Sequence, residues 1–235
     1  MHLSTYRAGL KAGLPICLGY FSVSFGFGTL AITQGLSILQ ATILSISNLT
    51  SAGQFAGLTV IVAGASLLEM ILTQLVINSR YALMSLALGQ RLGASVGIGK
   101  RLAIAFFNTD EVFALGMAQS KLTPAFFLGA GTVAAVGWTA GTAMGAIAGS
   151  VLPASVQTAL GIMLYGMFVA IVIPQVRQER AMGVCMVLAL IFSCLFTWLP
   201  GLNAVSAGIA IVICTVAAAA ICAWVFPIPN EEVAA

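Results

Sequence analysis

Apolar residues in this chain come in long blocks, and glycine, proline or a few polar residues separate one block from the next. The first block covers residues 12–32 and ends at the polar turn Thr33-Gln34-Gly35. Further blocks cover residues 37–63 and 65–88, followed by a charged connection from Arg91 to Arg101. Residues 124–149 and 153–174 form a pair around Ser150 and Pro153, and residues 181–199 and 203–226 a pair around Pro200-Gly201. A helix needs roughly 20 apolar residues to cross about 30 Å of hydrocarbon, so each block predicts a transmembrane helix. The expected fold is an all-α, polytopic transmembrane bundle of about seven spans, forming a single domain over residues 1–235.

Charge supports this reading. The chain is 60% hydrophobic and 6% charged, with a mean hydropathy of +1.10, whereas soluble domains carry about 25% charged residues. No Asp, Glu, Lys or Arg lies between Lys11 and Glu69, between Lys121 and Arg177, or between Arg180 and Glu231. Arg7 and Lys11 ahead of an apolar stretch mimic a signal peptide, but the stretch runs too long and lacks a small-residue cleavage site, so it reads as the first span. The net charge of +3 comes from scattered basic residues without interleaved aromatics, which argues against nucleic acid as a partner. The five cysteines sit in apolar runs as packing residues, and His2 is the sole histidine. No nucleophile–base pair or metal set stands out, so the expectation is no enzyme, no metal and no cofactor.

The positive-inside rule leaves two schemes. Seven spans put the N-terminus outside, and eight put it inside. Both place the C-terminal tail in the cytoplasm.

Several polar groups need a reason to be in a membrane. Ser45, Ser47, Asn48, Thr50, Ser51, Gly53 and Gln54 interrupt the second block. They either bond to neighbouring helices and their own backbone or mark a helix break near Ser51-Ala52-Gly53. A break exposes N–H groups on one half-helix and C=O groups on the other, which suit the two charges of an amino acid. Residues 102–118 carry Asn108-Thr109-Asp110-Glu111 at their centre, and two adjacent carboxylates facing lipid are prohibitively costly. The segment either spans while lining a polar interior, or dips in and returns, or lies in the interface; of these, an embedded, broken element is expected. Arg80 either pairs with Asp110 or Glu111 inside the bundle or snorkels to the interface. The two acids either carry protons or cap an interfacial helix. Glu69 reads as a helix-start anion.

Gly137, Gly141, Gly145 and Gly149 recur every fourth residue and predict a smooth stripe for close helix packing, within the chain or against a partner; Gly53 and Gly57 repeat the spacing. A weak internal echo relates residues 36–46 to 152–162 and 27–31 to 144–148, with Gly161, Tyr165 and Gly166 at a depth similar to the expected break. It suggests repeats over 10–90 and 122–200, inverted if the spans are counted as seven. Shared apolar composition explains it equally well.

Taken together, Gly13-Leu-Pro15, Ser51-Ala-Gly-Gln-Phe55, Ala63-Gly-Ala-Ser66, Asn78-Ser-Arg80-Tyr81, Thr109-Asp-Glu-Val-Phe-Ala-Leu115, Trp138, Leu160-Gly161, Phe168 and Pro174 resemble the AzlC family, the larger subunits of two-component branched-chain amino-acid exporters. The Asn48-Leu-Thr-Ser lead-in to Ala52 departs from that pattern. The resemblance implies a multi-pass protein of the bacterial inner membrane that exports leucine, isoleucine, valine and, as a further candidate, methionine; the broken second helix predicts that it does so by alternating access. The resemblance also implies proton coupling and a small AzlD-type membrane subunit as obligate partner. On this reading Asn48, Ser51, Gly53, Gln54 and Asn78 contact the substrate, while Arg80, Asp110 and Glu111 gate or couple. A passive channel for a small neutral solute, or a structural subunit of a transport complex, are the alternatives.

Overall fold

The computed structural model describes residues 5–93, 96–153, 155–156, 169, 172–173, 176–177 and 179–227. Most of the expected span over 153–174 lies outside them, as do Leu160, Gly161, Tyr165, Gly166, Phe168 and Pro174. The elements are helical: α1 (Tyr6–Thr33), α2 (Ile38–Ser47), α3 (Ala52–Val62), α4 (Leu67–Leu92), α5 (Ile98–Phe106), α6 (Asp110–Met117), α7 (Pro124–Val151), α8 (Arg180–Trp198) and α9 (Ala207–Val225), with a short 3-10 turn Leu202–Ala204. Five of them, α1, α4, α7, α8 and α9, are long and apolar enough to cross a membrane. The chain divides into two compact units, residues 1–58 with 78–165, and residues 59–77 with 166–235.

Local chemistry sets the helix ends. The Thr5 side chain accepts from the Ala8 N–H to open α1. A reciprocal Ser37–Gln40 capping box opens α2. Thr123 caps α7, and Pro124 follows at a position where its missing N–H costs nothing. Gly35, at a φ of 93°, turns the chain after α1.

In the first unit α1 and α7 pack side by side and run parallel. The glycine stripe makes this possible. A Cβ on Gly129 would strike the Tyr6 carbonyl oxygen, one on Gly137 that of Cys17, one on Gly141 that of Phe21 and one on Gly145 that of Phe25. Gly9 and Gly28 answer from α1, against the Phe126 and Thr142 carbonyls. Partners rise together along both helices, so the two helices run parallel.

The second apolar block is broken, as one of its two readings expected. Residues 37–63 form two half-helices, α2 and α3, folded back on each other around residues 48–51. Ser45 and Gln54 bond side chain to side chain across the break, although nine residues of straight helix would separate them by about 13 Å. Leu58 packs beside Ala41, Phe27, Ala31 and Ala146, level with the start of α2. The break falls earlier than expected, with Ser51 at its end in the left-handed region (φ 50°) and Gly53 already inside α3.

Residues 98–117 form a second hairpin. Lys100 and Arg101, expected in a connection, begin α5. Arg91 near the end of α4 donates to the Gln119 carbonyl at 2.7 Å, just beyond α6. Arg101 bonds back to the carbonyls of Val96 and Gly93. The chain therefore enters α5 and leaves α6 at the same end of this unit. Ala8, Leu88, Ile104, Val112, Leu122 and Phe126 form its apolar core there. The starts of α1 and α7 lie at that end, whereas α2–α3 inserts from the opposite one.

In the second unit, α8 and α9 pack as neighbours, and Glu69 of α4 accepts a hydrogen bond from the Gly208 N–H of α9 at 2.8 Å.

Candidate functional site

The two hairpin tips carry most of the polar residues that the sequence singled out, and α4 carries Asn78 and Arg80. At the α2–α3 tip Gln54 is fully buried. Its amide nitrogen donates to Ser45 Oγ, and its oxygen accepts from Trp138 Nε1 at 2.8 Å. Ser45 Oγ also lies 2.6 Å from Thr142 Oγ1. This network is satisfied at every buried atom, as low-dielectric surroundings require. Asn48, at the break, accepts from the Thr50 hydroxyl. Asn48 and Ser51 are partly buried, and Gly53 is buried.

At the α5–α6 tip Asp110 and Glu111 occupy the first turn of α6, where the helix dipole favours anions. Arg80 Nη1 lies 2.5 Å from Asp110 Oδ2, with both side chains a little under half exposed, and the guanidinium stands 5.0 Å over the Tyr81 ring. Arg80 lies eleven residues before Arg91, about 16 Å along α4. That is close to half of a bilayer core of about 30 Å. The Tyr20 hydroxyl of α1 donates to Glu111. Asn108 Nδ2 donates to Ser85 Oγ at 3.2 Å. Asn78 lies on α4, two residues before Arg80 and partly buried.

One aromatic contact joins the two tips. Tyr20 and Trp138 meet edge to face, with ring centroids 5.4 Å apart. A continuous path therefore runs from Gln54 through Trp138 and Tyr20 to Glu111.

A model of the AzlC protein family matches residues 15–152, the stretch that holds both hairpins and this path. The chain belongs to the AzlC family. It shares 32% identity over 177 residues with an uncharacterised membrane protein of Archaeoglobus fulgidus, covering 74% of this chain and 78% of that one. It shares 30% identity over 197 residues with the inner membrane protein YgaZ of Escherichia coli K12, covering 80% and 79%. A membrane protein of Helicobacter pylori 26695 is 30% identical over 113 residues, about half of each chain. No solved structure matches.

Within this AzlC-family chain, sequence reasoning overlooked Ser45's second partner Thr142 and the whole contribution of Tyr20. Nothing local marks Tyr20: its partner Glu111 is 91 residues away. Trp138 was noted only for the resemblance, and a lone tryptophan in an apolar helix carries no sign of a buried amide partner.

Proposed function

We propose that this AzlC-family protein is the large subunit of a secondary transporter that exports branched-chain amino acids (leucine, isoleucine, valine and methionine) across the bacterial inner membrane. The observation that carries this reading is the pair of oppositely inserted hairpins, with tips linked through Trp138 and Tyr20. Broken helices at membrane depth present backbone dipoles and polar side chains to a solute, and they are tolerated only where they are buried in protein or line a cavity. A zwitterion with an apolar side chain suits such tips, since burial of a Leu or Val group contributes about 1.5–3 kcal/mol.

In this reading, alternating access is movement of the hairpins against the α1–α7 pair, with Asn48, Ser51, Gly53, Gln54 and Asn78 on the substrate path. Arg80, Asp110 and Glu111 form the gate, and the two carboxylates exchange protons as the gate opens. The cationic end of the first unit, with Arg7, Lys11, Arg91, Lys100, Arg101 and Lys121, is cytoplasmic by the positive-inside rule. A small AzlD-type subunit completes the transporter.

The test is efflux of labelled leucine from cells expressing the chain with and without the membrane protein encoded beside it. Export requiring both, with trans-stimulation by unlabelled leucine, supports a carrier. Flux without trans-stimulation marks a passive pore. Asp110→Asn and Glu111→Gln separate coupling from binding: wild-type proton dependence in both variants removes the coupling role.

A further inference from the structure

The α5–α6 tip holds two oxygens that the assigned network leaves unused. Asn108 is 4% exposed and Thr109 is 5% exposed, yet among the described residues Asn108 Oδ1 and Thr109 Oγ1 have no hydrogen-bond partner of good geometry. Thr109 occupies the N-cap of α6 but makes no capping bond. The Asn108 amide nitrogen is anchored on Ser85, which fixes the direction of the opposite oxygen. A buried acceptor without a donor is costly, and two in adjacent residues in the break of a helix mark a place prepared for a donor.

The surroundings identify that donor. Asp110 and Glu111 follow directly, so the tip carries two carboxylates against one guanidinium. Arg80 is committed to Asp110. Glu111 takes one hydrogen from Tyr20, and Thr109 neighbours the same hydroxyl. The tip thus offers a surplus of acceptors and of negative charge. An alkylammonium group is cationic and has three N–H donors and no acceptor. We infer that Asn108 Oδ1, Thr109 Oγ1 and the Glu111 carboxylate form the subsite for the substrate's ammonium group.

This rests on the amino-acid export proposed above and assigns one end of the substrate to one hairpin. A hydroxy acid offers one hydroxyl donor and no positive charge there, so it would leave at least one oxygen unsatisfied and the surplus carboxylate uncompensated. The subsite therefore selects amino acids over the corresponding hydroxy acids, and it does so from the cytoplasmic hairpin.

The experiment uses inside-out membrane vesicles holding the full chain co-expressed with its small partner. Uptake of labelled leucine is measured against unlabelled leucine and against 4-methyl-2-hydroxypentanoate, which has a hydroxyl in place of the ammonium. The wild type should prefer leucine by about tenfold or more, because the ammonium makes charge-assisted hydrogen bonds that a hydroxyl replaces only in part. Asn108→Ala and Thr109→Val should each bring the preference towards one, and Thr109→Ser, which keeps the hydroxyl, should retain it. A ratio is unaffected by lower amounts of folded variant. If both substitutions keep the wild-type preference, or if transport becomes sodium-dependent at these residues, the inference is overturned. If wild-type vesicles move no leucine at all, the proposed function itself fails, an outcome distinct from loss of preference in the variants.

Discussion

The indole N–H of Trp138 donates to the side-chain oxygen of Gln54 at 2.8 Å, across 84 residues of sequence and in full burial. This bond ties a hairpin tip to the long helix α7, and it stands at the head of the path to Glu111. Trp138→Phe removes the donor but keeps much of the packing. It leaves Gln54 Oε1 buried and unpaired, at a cost of about 1–3 kcal/mol. Thermal unfolding in detergent should show the loss, and adding Gln54→Leu should recover part of it, because replacing both partners removes the orphaned group.

The parallel α1–α7 contact predicts a graded response along one stripe. Gly145→Ala drives a methyl into the Phe25 carbonyl, whereas a Cβ at Gly149 comes no closer than 3.1 Å, to Thr29 Cα. Gly145→Ala should lower the yield of folded protein sharply, and Gly149→Ala should be nearly tolerated. Equal tolerance at both sites would contradict the register described for these helices.

The hairpins predict sidedness. Gly97 and Lys121 flank α5–α6 and should lie on one membrane face, while Gly35, after α1, lies on the other. Single cysteines at these positions, in a background without the five native cysteines, should label with an impermeant maleimide accordingly. Gly97 and Lys121 should react from the cytoplasmic side and Gly35 from outside. Labelling of positions 97 and 121 from opposite sides would mean that α5–α6 crosses the membrane.

Arg80 and Asp110 pair near half bilayer depth, each a little under half exposed, where a charge stripped of its partner is costly. Arg80→Gln should therefore lower the melting temperature, and should impair leucine export if the pair gates. Unchanged export in both Arg80→Gln and Asp110→Asn would remove the pair from the mechanism.

In the second unit Glu69 is buried and its carboxylate serves the start of α9 through Gly208 N–H. It acts as an N-cap supplied from another helix. Glu69→Ala should loosen the first turn of α9 by about 0.5–2 kcal/mol, read as faster amide exchange in residues 207–210 with little change in α8.

Much of this was legible in the chain itself. The apolar blocks and their glycine and proline ends placed α4, α7, α8 and α9 to within four residues, while α1 starts six residues earlier than its block. The crowding of Ser45, Asn48, Ser51 and Gln54 pointed either to a break or to side-chain bonds between helices, and the structure shows both. The Asn108–Glu111 cluster marked the second break, because two adjacent carboxylates facing lipid are costly. The spacing of Gly137, Gly141, Gly145 and Gly149 announced a close helix contact. What it could not announce was the partner, since any helix backbone fits a smooth stripe.

The amino-acid sequence determined on its own that this chain lives in a bilayer, which segments are helical and where polar groups interrupt them, because hydropathy and helix-breaking chemistry are properties of local windows. Only the tertiary structure decided that each broken block folds back as a hairpin instead of crossing. It alone decided that α1 and α7 run parallel and that Trp138 and Tyr20 bridge the two tips. Those outcomes depend on bonds such as Ser45–Gln54, Arg91–Gln119 and Tyr20–Glu111. Side chains of the same polarity could have met other partners, and only their positions in three dimensions select among them.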